Sequence, residues 1–378
     1  MGRINKAGWG VLALGLGCGE LRKDSEQTTV SAGSMSASSA DSGSDEADGS
    51  TTEVAPSSSS DGGVKLDVGA GGTENMTADE GGDQDGCDKV DFLFIVDNSG
   101  SMSEEQDSLI SAFPQFIGTI QDTLDEAQDY HVMVLDTDAF VYEGCLALCA
   151  FPIPPDNPNP ICLIAPEYEC GSDPLECEDV LGAGVTHPRG AQSSNADCEF
   201  ASGMRWMDSA EPDLAGAFSC AARVGTGSTL DPEKPMEAMV AASTASTPAF
   251  ACNEGFFRDD AILVVTFVTD EDDAANDGSG GTVAGWREAL IAAKNGDENA
   301  VVVLGLFGDG DMPGAICTSF DSQTGNGAEP SPRLREFTES WGDRGIAGSI
   351  CAPSYDEFFE QAVGVIDTTC DEFEPPAG

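Results

Sequence analysis

Positive charge is scarce in this chain of 378 residues: Lys and Arg together number 16 against 68 Asp and Glu, a formal net charge of -52. Nucleic acid and anionic membrane surfaces are therefore disfavoured as partners, because self-repulsion and phosphate repulsion both oppose contact. Histidine is scarcer still, with only His131 and His187, which leaves no material for a Ser/His/Asp triad or a His-rich zinc centre. Long apolar runs near the N-terminus are missing too, since the stretch from Ala7 to Gly17 is too short to span a bilayer. From Gly19 to Gly86 large apolar residues are nearly absent and Ser, Gly, Thr, Asp and Glu dominate. Such a segment cannot bury enough surface to offset chain entropy, so residues 19–86 are expected to form a disordered acidic tether. The acidity of the remainder reads as a solvated surface suited to a salty medium, where charge is screened over a few ångströms. Divalent-ion binding outside any main site is the other reading of that charge, and composition does not separate the two.

Cysteine, by contrast, is plentiful, at 13. Arg3 and Lys6 precede the short apolar run in the pattern of a bacterial secretion signal. Gly17 directly before Cys18, with Leu14 and Leu16 upstream, resembles a lipoprotein signal-peptidase site, although Gly15 stands where Leu is usual. Residues 1–18 are thus expected to be a signal peptide, with Cys18 lipidated and the protein anchored to the bacterial outer membrane or cell surface, free secretion being the alternative. Setting Cys18 aside leaves 12 cysteines, an even number that implies disulfides in an exported chain. Six of them (145, 149, 162, 170, 177 and 198) fall between Tyr142 and Ala201, a Pro-rich stretch that is expected to be a disulfide-pinned insertion on the rim of the domain.

The segment DFLFIVDNSGSM, Asp91 to Met102, carries the chemistry. An uninterrupted apolar strand delivers Asp97, Ser99 and Ser101 to the point where the backbone leaves it. Short oxygen side chains two residues apart in a turn can converge on one hard cation. Further strands are expected at His131–Leu135, ending in Asp136-Thr137-Asp138, at Ile262–Val268, ending in Thr269-Asp270-Glu271-Asp272-Asp273, at Val301–Phe307 and at Ile346–Ile350. Helical spacing follows the first strand from Glu104 to Asp129, where Pro114 is expected to kink or divide the helix. Other helical patterns cover 213–224, 233–242, 286–294, 333–341 and 355–366. This alternation predicts an α/β fold, a doubly wound, mostly parallel sheet flanked by helices, with ligands gathering beyond the carboxyl ends of its strands.

Asp-x-Ser-x-Ser after a buried strand is the metal-ion-dependent adhesion site motif, and residues 87–370 resemble a von Willebrand factor type A domain, Rossmann-like, with residues 371–378 as a tail. The resemblance implies that Ser99, Ser101 and a third hydroxyl hold a divalent cation, Mg²⁺ or else Mn²⁺ or Ca²⁺. Asp97 and Asp270 would act largely through bound water. The stretch from Val224 to Met239 resembles the family's Gly-Thr loop; register relative to Pro235 and Ala238 favours Thr229 as the third hydroxyl, with Ser228 and Thr226 as alternatives. It further implies a binding or adhesion module, not an enzyme, that captures a protein ligand through an Asp or Glu carboxylate, or another acidic ligand. Membrane contact is expected only through the lipid anchor. The enzymatic alternative is a Mg²⁺-dependent phosphatase of the haloacid-dehalogenase type, with Asp136 as nucleophile, Asp138 as acid and base, and Thr269, Lys294, Asp309 and Asp311 as remaining parts. For Glu271, Asp272 and Asp273 the expectation is a solvated loop.

Overall fold

A computed structural model of the chain describes residues 88–123, 129–138, 176–226, 233–275, 278–321 and 326–376. The chain divides into two units, Met1–Ala78 and Asp79–Gly378, and every described residue belongs to the second. The signal peptide with Cys18, the tether, and residues 142–175 of the expected insertion lie outside the described residues.

Strand β1 (Lys89–Val96) is buried at every position after Lys89. Its alternate residues serve two cores: Val90, Phe92, Phe94 and Val96 face one, Leu93 and Ile95 the other. A strand covered on both faces has no solvent-facing register, which is why its sequence is continuously apolar from Phe92 to Val96. Five more strands follow: β2 (Asp129–Asp136), β3 (Met207–Asp208), β4 (Ile262–Val268), β5 (Val301–Phe307) and β6 (Gly345–Ser349). They make one sheet in the order β3-β2-β1-β4-β5-β6, parallel except for the β2/β3 pair. Helices α1 (Ser103–Thr123), α2 (Leu214–Ala222) and α7 (Asp356–Glu372) cover one face. Helices α3 (Pro235–Ser243), α5 (Val283–Ala293) and α6 (Pro332–Glu339) cover the other, and the short α4 (Pro248–Cys252) packs on α3. The α/β class with a mostly parallel sheet is therefore the observed one.

Aromatic packing fixes α1 on the sheet. Phe113 stacks on Phe218 of α2 at 3.6 Å between centroids, and both meet Phe94 edge-on at 5.9 and 5.0 Å. Burying one such ring contributes roughly 1.5–3 kcal/mol, enough to hold the helix through Pro114. Of the kink or division expected at Pro114, the division is absent, α1 being one helix: Pro114 lies on its exposed face, where water can take the carbonyl freed by the missing N–H, between the buried Phe113 and Phe116. Helix α7 runs to Glu372, beyond the expected end at 366 and two residues into the expected tail, because Thr369 and Cys370 are still buried.

The described end of the insertion and the chain that follows it run along the outer edge of the sheet. Val185 N–H donates to the Val134 carbonyl at 2.7 Å, and Met207 and Asp208 pair with Val132 and His131, so the returning chain occupies the outer edge of β2. Its two described disulfides leave it for the body of the domain, Cys177–Cys252 and Cys198–Cys220. A third, Cys317–Cys351, ties the loop after β5 to the segment after β6, and Cys370 is disulfide-bonded as well. These bonds accord with an oxidising compartment. Among the described residues no helix is long and apolar enough to cross a membrane.

Candidate functional site

β1 pairs with β2 on one side and β4 on the other, so the chain reverses its direction of winding there, and in such sheets ligands gather beyond the carboxyl ends of the strands at this switch point. Asp97 is the first residue past β1. Its N–H still donates to the Val268 carbonyl, 3.0 Å, and its side chain is fully buried. One carboxylate oxygen accepts from Ser99 N–H at 2.6 Å, and the other from the Thr269 hydroxyl, also 2.6 Å. Asp97 thereby closes the turn that carries the serines and ties it to the exit of β4. Both donors are neutral. Burial, and then the charges of Asp270 and Glu271, push the Asp97 carboxyl well above the ordinary carboxylate range.

Around this organiser three oxygens converge. The Ser99 hydroxyl stands 3.4 Å from that of Ser101 and 3.4 Å from Asp270 Oδ1. Those separations are long for hydroxyl hydrogen bonds. They approach the spacing of neighbouring ligands on one cation, about 3 Å on an octahedral shell of 2.0–2.1 Å radius and wider for the longer bonds of Ca²⁺. Asp270 itself is 1% exposed, and its Oδ2 has no hydrogen-bond partner. Burial raises its carboxyl as well. A buried carboxylate oxygen without a donor is costly, and an oxygen-only set of two carboxylates and two hydroxyls fits a hard divalent ion. Among the described residues no three His, Cys, Asp or Glu side chains group as a metal site; the Asp97 set holds only two carboxylates and depends on hydroxyls for the rest.

Of the three third-loop hydroxyls, Thr229 and Ser228 lie outside the described residues. Thr226 is buried, with its N–H on the Ala191 carbonyl at 2.7 Å and its hydroxyl 3.4 Å from the same atom. Sequence reasoning missed what holds this loop in place. Gln106, buried in the first turn of α1, donates from Nε2 to the carbonyls of Asp97 (2.9 Å) and Gly225 (2.7 Å), and its Oε1 accepts from Gly225 N–H at 3.1 Å. One amide side chain thus clips the third loop to the first. Gly225 sits at φ +101°, where a Cβ would meet the Ala191 carbonyl oxygen at 2.9 Å, so glycine is required. The available signal was Gln106 itself, a polar residue on the apolar stripe that runs through Met102, Leu109 and Phe113.

Other acidic residues depart from expectation. Asp273 is buried rather than solvated: it accepts from Met236 N–H at the start of α3, 3.0 Å, and from Ser279 N–H, with Arg333 at 3.8 Å. It is a structural carboxylate. The elements of the phosphatase alternative are dispersed. Asp136 lines a small pocket with Glu178, His187 and Arg205, and burial followed by the charges of Asp138 and Glu178 raises its carboxyl well above the ordinary range, opposing the ionised form a nucleophile needs. Thr269 is bound to Asp97, Asp309 accepts from two backbone N–H groups, and Asp311 pairs with Arg335 at 2.6 and 2.8 Å. Lys294 donates to the Arg258 carbonyl at the opposite end of the sheet.

No protein-family model matches the chain, and no curated protein matches it.

Proposed function

We propose that this chain carries a von Willebrand factor type A-like binding domain, exported and lipid-anchored through Cys18, which captures a protein ligand at a divalent-cation site rather than catalysing a reaction. The observation that carries this reading is the meeting of Ser99, Ser101 and Asp270 oxygens beyond the carboxyl ends of β1 and β4, with Asp270 Oδ2 buried and unpartnered. Asp97, Ser99, Ser101 and Asp270 would hold Mg²⁺, or else Mn²⁺ or Ca²⁺, together with a hydroxyl from Thr229, Ser228 or Thr226. The bound ion supplies an electrophilic position that a partner's Asp or Glu carboxylate can occupy. Asp97 orients the serine turn through Ser99 N–H and Thr269, and Gln106 keeps the third loop against it. The net charge of -52 makes such an ion the attraction for an acidic ligand that the surface would otherwise repel.

The test is Mg²⁺ titration by calorimetry alongside capture of cell-envelope proteins with and without chelator. Ser99→Ala/Ser101→Ala should lose both the heat of binding and the chelator-sensitive capture while retaining the native circular dichroism spectrum. Unaltered Mg²⁺ binding in the double variant would overturn the assignment.

A further inference from the structure

A second set of buried oxygens lies one strand away, at the exit of β2. Asn98 follows Asp97 in the first loop and is 8% exposed; its Nδ2 donates to Asp138 Oδ1 at 2.8 Å, while its Oδ1 is buried with no hydrogen-bond partner. Glu233, which enters α3 from the third loop, is 4% exposed. Its Oε2 accepts from the Thr137 hydroxyl, and its Oε1 is likewise buried without a partner. The neighbouring Lys234 N–H donates to the Thr137 carbonyl at 3.0 Å, so Glu233 is held at this place by backbone as well as by side chain. The two orphaned oxygens therefore belong to side chains anchored on consecutive residues, Thr137 and Asp138. After burial, the charges of Asp97 and Asp138 do most to raise the Glu233 carboxyl.

Two unpartnered oxygens on side chains more than nine-tenths buried, one an amide and one a carboxylate, beside the carboxylate of Asp138, form an arrangement that costs stability unless a positive charge enters it. An amide oxygen and two carboxylates make a hard, irregular donor set of the kind Ca²⁺ accepts more readily than Mg²⁺, which demands near-octahedral geometry. We infer that Asn98, Asp138 and Glu233 form a second divalent-cation site, selective for Ca²⁺, beside the Ser99/Ser101/Asp270 site. It is built from residues that the first site does not use, so either can stand without the other. Sharing the first loop, where Asn98 lies between Asp97 and Ser99, would let occupancy of the second site stiffen the turn that presents the serines.

Calcium titration of the full chain by calorimetry separates the possibilities, with Glu233→Gln and Asp138→Asn against Ser99→Ala/Ser101→Ala. The wild type should take up two equivalents, each carboxylate variant one, and the double serine variant the other one. In chelator, Glu233→Gln should melt no lower than the wild type, because it removes a buried carboxylate that its neighbours repel, and its Ca²⁺-induced rise in melting temperature should be smaller. Equal Ca²⁺ stoichiometry in the wild type and both carboxylate variants would overturn the second site and leave the first untouched. A chelated Glu233→Gln protein that melts well below the wild type would also overturn it, marking Glu233 as a structural acceptor for Thr137. Loss of one equivalent in the carboxylate variants, with none lost in the serine pair, would instead uphold the second site and remove the proposed function's own.

Discussion

The two ends of the parallel sheet treat buried carboxylates in opposite ways. At the amino end Asp91, in β1, is fully buried and accepts from Arg258 twice, from Nε at 2.7 Å and from the backbone N–H at 2.9 Å. Arg258 also holds Asp129 of β2 at 2.6 Å, and Lys294 donates to the Arg258 carbonyl. At the carboxyl end Asp97 has only neutral donors, Asp270 keeps an oxygen without any, and Glu233 is repelled by Asp97 and Asp138. The protein's own cations face the buried carboxylates named at one end, whereas those named at the other end have neutral donors or none. A buried charge is tolerated only when paired, so the contrast supports the proposed cation site without reference to any family.

The sharpest way to break that comparison is to exchange the two aspartates for alanine. Asp97→Ala should abolish Mg²⁺ binding in calorimetry and with it any ion-induced rise in melting temperature. Asp91→Ala should leave Mg²⁺ binding intact and instead destabilise the domain by about 1–3 kcal/mol in denaturant titration, because Arg258 loses its buried partner and keeps only Asp129 and backbone carbonyls. The reverse pattern would assign the cation to the wrong end.

Acidity gives a second contrast. Burial raises Asp91 to about 6, and it raises Asp97, Asp270 and Glu233 above their ordinary values too, with like charges adding to the effect at Asp97 and Glu233. A carboxyl raised by folding contributes stability that is fully present below its unfolded value and lost as pH rises through its folded one. The chelated protein should therefore lose stability as pH rises from about 4 through 6, Asp91 alone accounting for about 3 kcal/mol. Mg²⁺ should restore more stability the higher the pH, since its ligands must be deprotonated. A chelated protein that gains stability across this window would contradict the placement of these groups.

Smaller effects refine the site. Thr269→Val removes the hydroxyl that steadies Asp97 Oδ2 and should weaken Mg²⁺ binding roughly 10-fold, as loss of a group that orients a ligand generally does; calorimetry reads it directly. Asp136→Asn should change neither Mg²⁺ binding nor ligand capture, and the wild type should release no phosphate from phosphomonoesters. Turnover that vanishes with Asp136→Asn but survives Ser99→Ala/Ser101→Ala would restore the phosphatase reading.

Particular residues show where sequence reasoning reached and where it stopped. Strand β5 was legible to the residue, because Val301–Phe307 is buried on both faces and bounded by polar turns. Asp97, Ser99 and Ser101 were legible as oxygen side chains of one turn because their spacing is local, and Asp270 through its place at the next strand exit; the structure brings the Ser99, Ser101 and Asp270 oxygens together. Pro114 left a kink and a division both open, since propensity counts the lost hydrogen bond but not the Phe113, Phe218 and Phe94 packing that carries the helix through it undivided. Asp273 misled: its run of acidic neighbours read as solvent-facing, yet the start of α3 needed an acceptor. The edge strand Met207–Asp208 is two residues long and carries no periodicity to read.

The sequence by itself determined the alternation of the main strands and helices, the two-faced burial of the central parallel strands and the run of oxygen side chains in the first loop, all of which depend on residues within a few positions of one another. Only the tertiary structure decided which charges are paired. Arg258 reaches Asp91 across 167 positions and Gln106 reaches Gly225 across 119, while Asn98 and Glu233 converge on β2 from separate loops. A carboxylate's role follows from its burial and its nearest cation, and neither exists until distant segments have met.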